Sequence, residues 1–280
     1  MNPSRLTLLI SCPDEPGLIA RITGVLHRHG GNIVENGEYV DPSVDRFFMR
    51  TAVEGIGDVD LLERVLKTEL PADATVRLGG EERKKVVLMA TTEPHCLGDL
   101  LIRSAYGDLP MEVCGVISNH ETLRKLSESF DIPFECISHE GMEREAHEAA
   151  VMARIDALAP DLVVMAKYMR ILSPGFISKY KNRILNIHHS FLPAFVGANP
   201  YRQAWERGVK IIGATAHFAS EVLDEGPIIA QDVIPVNHNH SPKDMARNGR
   251  DVEKRVLARA VRFFLEDRVV VTGNKTIVFE

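Results

Sequence analysis

The chain has 280 residues, 45% hydrophobic and 26% charged, a balance that suits a folded globular protein and excludes a disordered one. Its net charge is −6, and both the first 80 residues and the remainder are acidic, so nucleic acid is a poor partner. No apolar run approaches the ~20 residues of a membrane helix, and the N-terminus reads as a strand rather than a signal peptide, so the expected compartment is the cytoplasm, with no membrane partner.

Leu6–Cys12 is an apolar strand that ends in the turn cluster Pro13-Asp14-Glu15-Pro16-Gly17. Leu18, Ile19, Ile22, Val25 and Leu26 then recur at helical spacing until Gly30-Gly31 stops the helix. Asn32–Val40 and Arg46–Val53 make a hairpin around Asp41-Pro42-Ser43. A second helix starts at Asp58, Pro71 closes it, and Thr75–Leu78 is a last strand. The order βαββαβ is that of a ferredoxin-like unit over residues 1–80. Gly79–Lys84 has linker composition.

From Lys85 strands and helices alternate. Strands are expected at Val86–Ala90, Glu112–Ile117, Phe134–Ile137, Leu162–Ala166 and Ile184–Ile187. Helices are expected at Leu97–Ala105, Glu121–Phe130 and Glu143–Leu158. This alternation predicts a doubly wound, mostly parallel α/β domain over residues 85–280, with ligands beyond the carboxyl ends of its strands. The four cysteines, Cys12, Cys96, Cys114 and Cys136, form no CxxC pair and read as reduced thiols.

Three blocks at such strand ends carry chemistry: Ala166–Ser173, Asn186–Gly197 and Gly213–Pro227. Asn186 and His188 are two apart, so on a strand they face one side and could aim two donors at a carbonyl oxygen. Turn chemistry explains the same pair taken alone. Asp224 in Asp224-Glu225-Gly226-Pro227 supplies a carboxylate, or only a turn. His189 would face away from His188 on a regular strand, which favours a structural role. His238 and His240 suit an exposed loop before a helix cap at Ser241 better than a metal site.

The strings NIHHSFLPAFVGA, GATAHF and VLDEGPII, in this order, closely resemble the folate-dependent formyltransferase family, and the resemblance covers Lys85–Glu280. It implies a catalytic trio of Asn186, His188 and Asp224, with His217 in support. It also implies a folate pocket near Met169, Arg170, Ile171 and Leu172 and near Val222 and Leu223. Residues 1–80 resemble an ACT domain through DEPGLIARITGVLHRHGGNI. That implies an amino-acid effector of the glycine or methionine type near Asp14, Gly17 and Asn32, and a homo-oligomer, dimer or tetramer.

Within the family, the tail GRDVEKRVLARAVRFFLEDRVVVTGNKT resembles the members that hydrolyse 10-formyltetrahydrofolate, in one-carbon and purine metabolism. The resemblance implies no metal and no cofactor beyond that folate substrate. Family members that formylate glycinamide ribonucleotide cradle its phosphate on a glycine-rich loop after the first strand. Here that loop reads Ala90-Thr91-Thr92-Glu93-Pro94-His95-Cys96-Leu97-Gly98, with one glycine and a carboxylate. Formyl transfer to an amine, and a non-catalytic folate or amino-acid sensor, stand as alternatives.

Overall fold

The computed structural model describes residues 5–80, 82–194 and 199–280. Two compact units emerge: Met1–Glu82 with Phe279–Glu280, and Arg83–Val278.

In the first unit, strands β1 (Arg5–Pro13), β2 (Asn32–Asp41), β3 (Arg46–Glu54) and β4 (Thr75–Gly79) form one antiparallel sheet in the order β2-β3-β1-β4. Helices α1 (Leu18–Arg28) and α2 (Val59–Glu69) complete the βαββαβ unit. Helix α1 buries Leu18, Ile22, Val25 and Leu26, the stripe its spacing predicts. Asp58 caps α2 by accepting from the Leu61 N–H. These helix faces close with Leu8, Ile10, Met49 and Val53 into one apolar core. At Gly31 the chain passes so close to Val53 that a Cβ would lie 2.7 Å from its methyl, so only glycine fits between helix and sheet.

The second unit holds a seven-stranded sheet. Its strands are β5 (Lys84–Ala90), β6 (Met111–Ser118), β7 (Phe134–Cys136), β8 (Leu162–Met165), β9 (Ile184–His188), β10 (Ile211–Phe218) and β11 (Ile228–Pro235), in the order β11-β10-β9-β8-β5-β6-β7. The strands from β9 to β7 pair in parallel, and β10 and β11 add an antiparallel edge. Val86–Ala90 and Leu162–Val164 have no exposed surface, because helices cover both faces. Helices α3 (Pro94–Ala105) and α8 (Pro242–Leu265) pack on one core, and α5 (Arg144–Leu158) and α6 (Pro174–Lys179) on the other. Helix α4 (Arg124–Glu128) flanks β7, α7 (Pro200–Arg207) precedes β10, and β12 (Val269–Thr272) with β13 (Lys275–Val278) forms a hairpin.

The expected helix over Glu121–Phe130 is broken into a 3₁₀ turn at Glu121–Leu123 and the short α4. It ends early because Asp131 adopts a left-handed φ of 57° and the Ser127 hydroxyl donates to the Ile132 carbonyl at 2.9 Å. Strand order reverses between β5 and β8, so the crevice for ligands opens beyond Ala90 and Met165.

Candidate active site

The site forms where β9 runs out. Asn186 and His188 lie on the same side of that strand, and the antiparallel pairing of β10 sets His217 opposite Asn186 and Thr215 opposite His188. After β10 the chain loops and returns so tightly that a Cβ on Gly226 would lie 1.7 Å from the Phe218 carbonyl oxygen. The Phe218 N–H donates to the Pro227 carbonyl at 2.9 Å and holds the loop shut. Asp224 sits within that loop at a φ of 60°.

This bend brings the Asp224 carboxylate to 3.2 Å from His188 Nδ1 and 3.8 Å from His217 Nε2. Asn186 Nδ2 is 3.2 Å from His217 Nε2. His217 Nδ1 lies 2.9 Å from the Phe218 carbonyl, which can only accept, so Nδ1 carries the hydrogen and Nε2 accepts from Asn186. Burial lowers the His217 pKa and keeps that ring neutral. Asn186 is thereby fixed with one amide hydrogen spent on His217 and the other free.

Burial alone would raise the Asp224 pKa, but the hydrogen bond and charge of His188, with His217 and His189, outweigh it and hold the carboxyl below its ordinary value. Asp224 is therefore ionised at neutral pH. His188 Nε2 is buried and has no hydrogen-bond partner among the described residues. A buried imidazole nitrogen left unpaired marks the spot a polar substrate atom would fill.

Beside the trio lies a cavity of about 430 Å³, lined by Met165, Arg170, Ile171, Leu172, Asn186, His217, Leu223 and Asp224 among others. Of the folate-side residues named from the sequence, Arg170, Ile171, Leu172 and Leu223 line it. Met169 and Val222 are not among its lining residues and stand 59% and 57% exposed. Thr91 splices the two strand ends behind it, donating to Asn119 Oδ1 at 2.9 Å and accepting from the Met169 N–H at 3.0 Å.

His189 departs from the strand expectation. Strand β9 ends at His188, so His189 swings round until the two rings lie 5.2 Å apart. Its other side faces Tyr201, at 5.9 Å between ring centres. Burial and the nearby Lys167 ammonium push its pKa down to about 4, so it is neutral at pH 7.

Beyond His189 is a group that the sequence did not single out. The carboxylate of Glu253 on α8 is 1% exposed, and His95 Nε2 at 2.7 Å, the Tyr201 hydroxyl at 2.5 Å and Lys167 Nζ at 3.3 Å surround it. Burial opposes its charge, yet these donors hold its pKa down at about 2. His95, Cys96 and Glu253 are close enough to suggest metal ligation. Here the Lys167 ammonium balances the carboxylate.

His238 is exposed. His240 Nδ1 accepts from the Asn237 N–H at 3.0 Å, ahead of a capping box formed by Ser241 and Asp244. In the first unit Asp14 is exposed, with its N–H bonded to the Asp45 carbonyl at 3.1 Å. Gly17 turns the chain into α1 at a φ of 89°, and Asn32 opens β2. Phe195, Val196 and Gly197 lie outside the described residues.

A mostly parallel sheet with Asn, His and Asp converging at a strand end defines an α/β enzyme of the formyl transferase class. Residues 84–261 match the Formyl transferase family, and residues 6–70 match the ACT domain. Formyltetrahydrofolate deformylase from Escherichia coli (strain K12) is 54% identical over 274 residues, covering 98% of both chains. The crystal structure of a formyltetrahydrofolate deformylase from Pseudomonas syringae pv. tomato superposes with a TM-score of 0.95 at 42% identity, over 100% of this chain and 96% of that one. The chain belongs to the formyltetrahydrofolate deformylase family. Glycinamide ribonucleotide transformylase 1 from Symbiobacterium toebii, 32% identical with a TM-score of 0.69, covers 72% of this chain and 97% of its own.

Proposed function

We propose that this protein hydrolyses 10-formyltetrahydrofolate to tetrahydrofolate and formate. The observation that carries the reading is that Asn186 and Asp224 line the 430 Å³ cavity while His188 meets Asp224 beside it, with one amide hydrogen and one imidazole nitrogen left unspent among the described residues. Full-length similarity to formyltetrahydrofolate deformylases supports it.

The pterin enters the cavity between Arg170–Leu172 and Leu223, which sets N10 and its formyl group at the trio. Asn186 Nδ2 and, with both ring nitrogens of His188 protonated as an imidazolium, His188 Nε2 donate to the formyl oxygen and stabilise the negative charge that grows there. Asp224, ionised, takes a proton from the attacking water and passes it to N10 as the carbon–nitrogen bond breaks. The Asp224 carboxylate also accepts from His188 Nδ1 and so orients the ring. A carbon–oxygen bond forms, the carbon–nitrogen bond breaks and protons move with no change of oxidation state, so the reaction needs no redox cofactor, and the proposal includes no metal.

In this reading the first unit binds an amino-acid effector of the glycine or methionine type near Asp14, Gly17 and Asn32. It also joins chains into a dimer or tetramer through an edge strand, since β2 pairs on one side only. The enzyme works in the cytoplasm. The acidic balance, free cysteines and lack of any described helix long and apolar enough to cross a membrane support that compartment. The test is release of free formate from 10-formyltetrahydrofolate, with and without amino acids and with and without glycinamide ribonucleotide. Formylation of that amine with little free formate would overturn the hydrolytic reading.

A further inference from the structure

Glu253 ties together three segments that meet beyond His189, a residue that does not line the folate-side cavity. His95 comes from the first turn of α3, Lys167 from the bend after β8 and Tyr201 from α7. The Tyr201 ring lies in a notch on α8, where a Cβ on Gly249 would meet its hydroxyl oxygen at 2.0 Å. His189 is wedged between Tyr201 and His188, so this group begins one residue away from the trio. An amine acceptor with any substituent needs room on this side, because its nitrogen must reach the formyl carbon while its body stays clear of the folate. Here the segments that could part for it are latched to one buried carboxylate.

We propose that His95, Lys167, Tyr201 and Glu253 form a clasp that closes the acceptor side of the site, so that water alone reaches the formyl carbon. They are specificity-determining residues, and the proposal rests on the hydrolytic reading above. With the clasp closed, the water oxygen bonds to the formyl carbon, the carbon–N10 bond breaks, one water proton passes to N10, the other is released to solvent, and formate leaves. With it open, an amine nitrogen takes the place of the water oxygen, its proton passes to N10, and an N-formyl amine leaves.

The experiment supplies the full-length enzyme with 10-formyltetrahydrofolate and excess glycinamide, and measures formate and N-formylglycinamide separately. Wild type is expected to give formate alone. Tyr201→Ala and His95→Ala, each checked for a cooperative melt, are expected to lower the ratio of formate to formylated amine by about 10-fold or more, the scale on which pocket size discriminates. Tyr201→Phe keeps the bulk and is expected to keep formate as the sole product. N-formylglycinamide from wild type would overturn the clasp, as would folded Ala variants that still give formate alone. Formate release by wild type without glycinamide tests the hydrolytic reading by itself, so the two failures are distinguishable.

Discussion

The two units of this chain place buried polarity differently: the first buries Asp41, Arg50 and Thr51 on its β2–β3 hairpin, the second a larger set gathered at its strand ends. The first encloses an apolar core of Leu8, Ile22, Leu26, Met49, Leu62 and Leu66, and most of its ion pairs, such as Arg28–Glu69 and Lys67–Glu63, lie on the surface. The second buries Thr91, Asn119, Lys167, His188, Ser190, Thr215, His217 and Glu253. Most of these cluster where the parallel strands end. Burying such groups costs free energy unless each finds a partner, so a folded chain concentrates them where a reaction needs them. The contrast marks where chemistry is done before any substrate is considered.

The contrast breaks most sharply at the trio. Asp224→Asn is expected to lower kcat by at least about 10³-fold, because the amide keeps the shape but cannot carry the proton. Folate binding, followed by fluorescence quenching, should stay near the wild-type value. Turnover within a few-fold of wild type would remove Asp224 from the reaction. His188→Ala is expected to cost about 10²–10³ in kcat through loss of the oxyanion donor. Asn186→Ala should cost a similar factor, which steady-state formate release checks.

Next in size is stability. Glu253→Ala leaves Lys167 buried without its counter-charge, and removing one partner of a buried pair costs about 3–5 kcal/mol. Chemical denaturation followed in the second unit reads this directly. In the first unit, Arg28→Ala at an exposed pair is expected to cost at most about 1 kcal/mol. Equal losses at the two positions would erase the contrast.

Acid should loosen the second unit at its buried titratable groups. Glu253 is held down at about 2 from an ordinary 4.5, so the stability from its ionised form is present above 4.5 and is lost as pH falls toward 2. His189 is lowered from 6.5 to about 4. Its contribution is present above 6.5 and is lost as pH falls from there toward 4, because the unfolded chain gains a proton the folded one refuses. Hydrogen exchange between pH 7 and 4 should therefore show the second unit loosening around Glu253 and His189. An imidazole titrating near 6.5 at His189 would contradict its burial.

These differences also explain what was legible in the sequence. The trio was implied by the family resemblance of NIHHSFLPAFVGA and VLDEGPII; spacing by itself set Asn186 and His188 on one side of a strand and left turn chemistry open for them and for Asp224. Strand and helix periods placed the sheet well where segments were long. They failed over Glu121–Phe130, where Ser127 and Asp131 ended the helix through side-chain and left-handed backbone preferences that periodicity ignores. The Glu253 group left no local trace. His95 and Glu253 are 158 positions apart, and Tyr201 and Glu253 are 52 apart, so only the folded sheet brings them together. His189 lies beside His188 because β9 stops there, which nothing in Asn186–Ser190 signals.

The smallest effect on chemistry is expected from removing the first unit altogether. Its core cluster draws only on residues between Leu6 and Leu78, and the clusters of the second unit draw only on residues between Val86 and Val278, so each closes its own interior. The trio, the folate-side cavity and the clasp all lie between Glu82 and Phe279 in sequence. A chain beginning at Arg83 should fold and release formate at a rate within a few-fold of the full chain measured without amino acids. What it should lose is any response to glycine or methionine, together with its full oligomeric state, read by light scattering. An unchanged response in the shortened chain would move effector binding into the catalytic unit. A collapse in turnover with folding intact would mean that the ferredoxin-like unit helps to shape the site.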